Sequence, residues 1–337
     1  MILYDPKIPA SLQEFGIQIP IRDSRATGTF AALRANTQLA ASRPRWHVER
    51  ISEILEREDI LRVHAENYVA RLYSDHLREE IIETFELIDA QGQYYRYAPE
   101  QARLPLEDLF ARIRAKVAGS VQCARLALTH GFCFYFSGGM HHAHYDHGSG
   151  FCMINDIVIT ARKLQAEGVV GKVWVVDLDA HKGDGTAALT AGDATITTLS
   201  IHMAHGWPLD GPPTLPDGRA NPCFIPSDVE IPIASGEEGQ YLARLEKGLG
   251  ELERSGRPDL AIVVSGSDPY EKDELPSTAG LKLSLDQMLA RDQMVYRFLQ
   301  ERNIPSAYLM AGGYGEAVWE VYARFLLWAL GQRYADS

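Results

Sequence analysis

Apolar residues along the chain follow two periods. From residue 130 onward, short runs rich in β-branched and aromatic residues recur: FCFYFS (132–137), VWVVDLD (173–179), TITTLSI (195–201), LAIVVSGSD (260–268) and SAYLMAGG (306–313). Between them, stretches such as MINDIVITARKLQAEG and LDQMLARDQMVYRFLQERN place apolar residues three and four apart, the spacing of a helix with one buried face. Strands alternating with helices predict a parallel sheet covered on both sides. Residues 45–130 read mostly as helix, including RISEILEREDI and LEDLFARIRAKVAGSVQCARLALTHG, and the Pro- and Gly-rich 206–236 reads as a long irregular loop. No repeat, linker or charge block marks a boundary, so residues 1–337 are expected to form one α/β domain.

The predicted strands share a way of ending: Ser137-Gly138-Gly139, Asp177-Leu178-Asp179-Ala180-His181, Ser200-Ile201-His202, Ser265-Gly266-Ser267-Asp268 and Gly312-Gly313-Tyr314. Open parallel sheets bind ligands at the carboxyl ends of their strands, so these clusters are expected to meet in one pocket.

Their chemistry is that of a hydrolytic metal site. Asp179 and His181, two apart on an extended segment, project to the same side, and Asp268 ends a later strand in a comparable way. Three protein ligands leave a position open for water or substrate, and an Asp2His set suits Zn2+ while also accepting Fe2+. The segment SGGMHHAHYDHGSGFC (137–152) holds four of the eleven histidines and reads in two ways. From His142 it is an HxHxDH run, a metal-binding signature; from Gly139 it presents His141-His142 as a proton-transfer pair. In the second reading Asp177 and Asp184 are placed to orient His141 and His142 respectively, so that one acts as base and the other as electrostatic partner. Tyr314 could donate its phenol to the oxyanion formed when water adds to a carbonyl.

Composition narrows the partners. Hydrophobic residues at 46% and charged ones at 23% are those of a soluble globular protein with a substantial core. A net charge of −12 argues against nucleic-acid binding, which needs a basic face. The four cysteines show no CxxC pairing and are expected as buried free thiols in a reducing compartment. The first residues lack the basic start and apolar run of a signal peptide, and no segment has the apolar length of a membrane span, so a cytoplasmic location is expected. Oligomeric state is left open.

Taken in order, VHAENYVARL (63–72), SGGMHHA…GSGFCMINDI (137–157), DLDAHKGDGT (177–186), LSIH (199–202), GSDPYEKDEL…GLKLS (266–284) and AGGY (311–314) resemble the zinc-dependent histone deacetylase family, with its bacterial deacetylase-like and acetylpolyamine amidohydrolase members. DLDAH and the short glycine run before Tyr314 look closest to its class IV branch. The resemblance implies a three-layer arginase/deacetylase fold and hydrolysis of an N-acyl amide, of acyl-lysine or of an acetylated polyamine. It matches Asp179, His181 and Asp268 to the zinc ligands, His141 and His142 to the proton-transfer pair, Asp177 and Asp184 to its carboxylates, and Tyr314 to the carbonyl-polarising tyrosine. It further implies a structural K+ held by Asp177 and Ser200 with backbone carbonyls of Asp179, His181 and Ile201. Gly150 and Phe151 match one wall of the substrate channel, Trp207 is the candidate for the facing aromatic, and Gly312 and Gly313 belong to the same channel. Lys182 stands where many members have histidine or glutamine. No residue matches the rim aspartate that holds the substrate backbone in many members; Tyr97 and Glu100 in GQYYRYAPEQARL (92–104) are the candidates.

Two rival readings remain. A metallo-β-lactamase-like hydrolase would use the HxHxDH run but leaves His141, Asp268 and Tyr314 without roles; a non-catalytic acyl-amide or metal-binding protein would use the same pocket without turnover. Under the favoured reading His144 and His147 are polar loop residues near the entrance, Asp146 is a possible substrate contact, His202 and His205 are structural or channel-lining, and His64 is buried in the helical region.

Overall fold

A computed structural model describes residues 1–334. Its centre is one open sheet of eight strands: β1 (Ile2–Leu3), β2 (His47–Val48), β3 (Phe132–Tyr135), β4 (Val173–Asp177), β5 (Ile196–Met203), β6 (Val229–Ile233), β7 (Leu260–Ser265) and β8 (Ser306–Met310). They lie in the order β2-β1-β3-β8-β7-β4-β5-β6, and every pairing is parallel. Alternate residues face opposite layers, as the two-residue period of a strand requires. Cys133, Tyr135, Val173 and Val175 join one apolar cluster with helices Asp108–His130 and Asp156–Ala166. Phe132, Phe134, Trp174 and Val176 join the other, with helices Tyr241–Glu253, Leu285–Glu301 and Trp319–Tyr334. Both faces are therefore dry, and the central strands are apolar without interruption. Together they make the three-layer α/β fold expected.

Topology locates the site. From β4 the chain moves outward to β5 and β6; from β7, the neighbour of β4, it moves the other way to β8. Connections leaving two adjacent strands in opposite directions open a crevice at their carboxyl ends. Asp177 ends β4 there, Asp179 and His181 follow it, and Asp268 follows β7.

The sequence reading needs three corrections. RISEILEREDI is helical only from Arg57, where a capping box between Glu56 and Asp59 starts the helix Arg57–Leu61. Between Thr84 and Asp108 the predicted helical territory is loop, apart from one short turn at Pro99–Gln101. The loop expected over 206–236 contains β6, whose burial alternates along VEIPI as on an edge strand; Pro232 sits there because an edge strand can spare a donor. Among the described residues no helix is long and apolar enough to cross a membrane.

Candidate active site

The turn after β3 is built from glycine for steric reasons. Gly138 and Gly139 have φ of +87° and +76°, and a Cβ on Gly139 would lie 2.5 Å from the Cβ of Ala311. Asp156, buried at the start of its helix, accepts from the backbone N–H of Gly139 (3.0 Å) and Met140 (2.6 Å). That anchor delivers His141 and His142 side by side, ring centroids 3.8 Å apart. Nδ1 of His141 donates to Asp177 Oδ2 at 2.7 Å, and Nδ1 of His142 donates to Asp184 Oδ1 at 2.6 Å. Burial works against a charge on either ring. In His141 the carboxylates of Asp177 and Asp179 outweigh it and raise the pKa to about 9. In His142 burial, helped by the neighbouring His141, prevails over Asp184 and lowers it to about 4.

Next to this pair Asp179, His181 and Asp268 form a triangle, all buried. His181 Nδ1 lies 3.3 Å from Asp179 Oδ1 and 3.1 Å from Asp268 Oδ2. Ligand bonds of about 2.0 Å around a tetrahedral ion set donor atoms about 3.3 Å apart, so the two edges that meet at His181 have the lengths of a metal site. Burial and the adjacent Asp179 push Asp268 up to about 8; two dry carboxylates so close call for a cation. The remaining lone pairs are oriented from the backbone: Gly312 N–H donates to Asp179 Oδ2 (2.8 Å) and Ala180 N–H to Asp268 Oδ1 (3.0 Å). Gly312 is required here, since a Cβ would lie 2.4 Å from Asp179 Oδ2.

Tyr314 reaches the same place from the end of β8, its backbone N–H held by Asp273 Oδ2 at 2.7 Å. Burial, with Asp179 and Asp268 close by, pushes its phenol well up, so it keeps its proton. A channel of about 160 Å³ runs from Tyr314, His142 and His181 between Phe151 and Trp207 to Glu86 and Arg96. Trp207 lies edge-on to His142, centroids 4.5 Å apart, and Phe151 faces Tyr314 edgewise at 6.4 Å. Phe151 holds a φ of +66°, a strained value for a side chain of that size. Beyond the triangle a second cavity of about 110 Å³ reaches past Gly139 and Cys152 to Arg25 and Lys116.

Of the other residues singled out in the sequence, some land elsewhere than expected and some where expected. His144 is buried, with Nε2 3.1 Å from Asp184 Oδ2; the fold closes over it because Asp184 has a second oxygen to share. His147 stays exposed and pairs with Asp146 at 2.8 Å. His142 and His144 thus share Asp184 while Asp146 and His147 pair with each other, and among the described residues no metal-competent group unites the HxHxDH side chains. Tyr97 is buried in the core and Glu100 is exposed, but neither lines the channel. Arg96, paired with Glu86 and lying over the Phe151 ring at 5.3 Å, stands at the mouth instead. Gly313 turns from the channel toward Ser267. Ser200 is the register partner of Asp177, and its hydroxyl bonds His202 Nδ1 at 3.0 Å. Ile201 is buried on the same strand. His64 is buried, Nδ1 donating to the carbonyl of His144 at 2.8 Å. All four cysteines are free, three of them buried.

Sequence reasoning missed Arg291. Completely buried, it donates through Nη1 to the carbonyls of Leu178 (3.0 Å) and Gly266 (2.9 Å), tying the β4 and β7 ends together beneath the triangle. The signal was present: Arg291-Asp292 interrupts the apolar face made by Met288, Val295 and Leu299, and a charge there needs a partner in the core.

A parallel sheet with acidic residues and a histidine at its switch point, a paired-imidazole loop and a tyrosine over a narrow channel marks an α/β protein with a candidate metal centre at the carboxyl edge of its sheet. Comparison with known proteins agrees: residues 19–330 match the histone deacetylase domain, and the chain belongs to the histone deacetylase family. That family is generally metal-dependent, as the triangle suggests. Similar proteins include one from Picosynechococcus, 31% identical over 64% of this chain and 67% of its own length. Another is histone deacetylase 2 of Arabidopsis thaliana, 30% identical over 76% of this chain and 60% of its own. The acetoin utilization protein AcuC of Staphylococcus aureus is 30% identical over 56% of this chain and 48% of its own. The matched region thus spans about half to two thirds of these relatives.

Proposed function

We propose that the protein is a zinc-dependent deacylase that hydrolyses N-acyl amides of lysine side chains, acetyl-lysine foremost. The observation that carries this reading is the convergence of the Asp179-His181-Asp268 triangle, the two His-Asp units and Tyr314 at the foot of one narrow channel. A divalent ion in the triangle would polarise the acyl carbonyl and make water acidic. His142, held neutral, takes the proton of the attacking water, with Asp184 fixing its tautomer. His141, charged against Asp177, supplies positive potential beside it. Tyr314 donates to the oxygen that becomes an oxyanion, and the proton on His142 passes to the departing amine. Ser200 and Asp177 in register, with no protein donor at the carbonyls of Asp179 and His181 among the described residues, support a K+ site behind the strand ends.

Acylated polyamines are the second substrate class, and the mouth disfavours them. A second ammonium on the substrate would need free negative charge at the rim, whereas Glu86 there is neutralised by Arg96. Parallel assays with acetyl-lysine peptides, longer acyl-lysine peptides and N-acetylpolyamines test the reading. Activity on the peptides should fall by about 10²–10³ in kcat when Tyr314→Phe removes one oxyanion donor, while substrate binding barely changes. An unaltered rate in that variant would defeat the mechanism, and inactivity on all three substrates with zinc bound would defeat the substrate class.

A further inference from the structure

A second cluster of metal-competent side chains lies on the far side of Asp184. His144 comes from the loop after the histidine pair, Asp184 opens the helix Asp184–Thr190, and Cys223 sits in the short turn Pro222–Phe224. The imidazole nitrogen, carboxylate oxygen and thiol sulfur all lie within 4.8 Å of one another. His144 Nε2 is 3.1 Å from Asp184 Oδ2 and 4.0 Å from Cys223 Sγ. Bond lengths of about 2.0 Å to nitrogen and oxygen and about 2.3 Å to sulfur put tetrahedral donor atoms about 3.3–3.5 Å apart. The nitrogen–oxygen edge already has this length, and the sulfur–nitrogen edge must close by about half an ångström.

The donor set is selective. One thiolate, one imidazole and one carboxylate suit Zn2+, Co2+ or Cd2+ and not Mg2+, Ca2+ or K+. His144 and Asp184 are buried and Cys223 is partly exposed, so the third donor is accessible from solvent while the other two are already ordered. A thiol ligates as the thiolate, so an entering ion must displace its proton, and binding strengthens as pH rises.

We propose that His144, Asp184 and Cys223 form a second, inhibitory site for a thiophilic divalent ion, one carboxylate away from the proton-transfer pair. Asp184 is the link: Oδ2 faces the new site and Oδ1 holds His142 at 2.6 Å. An ion on Oδ2 draws charge from the carboxylate that orients His142 and makes that imidazole a weaker base. The inhibitory half rests on the role proposed for His142; the binding half does not.

The test titrates Co2+ alone into full-length protein already carrying one equivalent of metal. The Asp179-His181-Asp268 triangle contains no sulfur, so a near-ultraviolet thiolate-to-cobalt band reports the second site only. The band should grow with the second equivalent, vanish in Cys223→Ser and be weakened in His144→Asn. Deacylation by the unaltered protein should fall with the same midpoint, while Cys223→Ser keeps its basal rate and needs at least about tenfold more metal for the same loss. No sulfur band, or one that survives Cys223→Ser, overturns the site. A band that fills without loss of activity overturns the inhibition. If the protein hydrolyses none of the substrates, the band still decides whether the ion binds, so the two readings fail separately.

Discussion

The foot and the mouth of the channel are built on opposite principles. At the foot the groups are fixed by the strand ends: Asp179 by the N–H groups of Gly312 and His181, Asp268 by that of Ala180, the histidine pair by Asp177 and Asp184, and the strand ends beneath them by the buried Arg291. At the mouth Glu86 and Arg96 pair across a loop closed by an isolated bridge between Ile88 and Tyr94, beside the 64% exposed ring of Tyr95. Geometry fixed by strand register suits a reaction, which loses rate when a group moves by an ångström. Geometry fixed by a loop suits recognition, which varies with the substrate. The two ends should therefore respond differently to mutation.

At the foot the response should be near-complete. Asp268→Asn keeps the shape of the side chain but removes one of the two negative charges that call for a cation. Metal content, read by elemental analysis after dialysis, should fall well below one equivalent. Deacylation should drop by on the order of 10³ or more, because an ion worth several kcal/mol of charge stabilisation is lost. Retained metal with retained rate would show that the triangle is not the centre of the chemistry.

At the mouth the response should be modest and should depend on the substrate. Arg96→Ala removes the cation over Phe151 and frees Glu86. KM for acetyl-lysine peptides should rise by about threefold to tenfold, an exposed charge and a cation–π contact each being worth about 1 kcal/mol or less, with kcat nearly unchanged. For N-acetylpolyamines KM should fall, since Glu86 becomes available to a second ammonium. A change in kcat equal to that in KM would mean that the mouth also positions the reacting bond.

The foot was largely legible in the sequence and the mouth was not, for a physical reason. Apolar runs ending in Asp, His and Gly name the strand ends, and the parallel topology brings strand ends together wherever the intervening helices run. Asp179, His181, Asp268, His141, His142 and Tyr314 could thus be grouped before any coordinate. The mouth depends on how residues 85–107 fold without regular structure, and no period identifies which side chain of GQYYRYAPEQARL turns toward the channel; Arg96 does, while Tyr97 beside it enters the core. His144 was misread because its burial is set by a long-range partner, Asp184, which local polarity cannot reveal. The edge strand β6 was hidden inside a Pro-rich stretch, its five residues too few to outweigh the turn signals around them.

The inner cavity separates position from stability with the smallest effect. Lys116, on the long helix Asp108–His130, lines that cavity with Arg25. Burial, then the charges of Arg112 and Arg25, push its pKa down to about 7 against the weaker opposing pull of Asp23. Below pH 7 both the folded and the unfolded chain carry the charge, and the folded state bears its full cost. As pH rises from about 7 toward the ordinary lysine value near 10.5, the folded protein sheds the proton first and stability increases. Lys116→Met keeps the length of the side chain without the charge, so it should raise Tm by about 2–5 °C at pH 6, on the scale of about 1–2 kcal/mol in a chain of this size, and by less than half as much at pH 9. Deacetylation should be unchanged, because the reacting groups stay clamped at the strand ends. A Tm gain that did not shrink with pH would mean that the methionine acts through packing rather than through the missing charge.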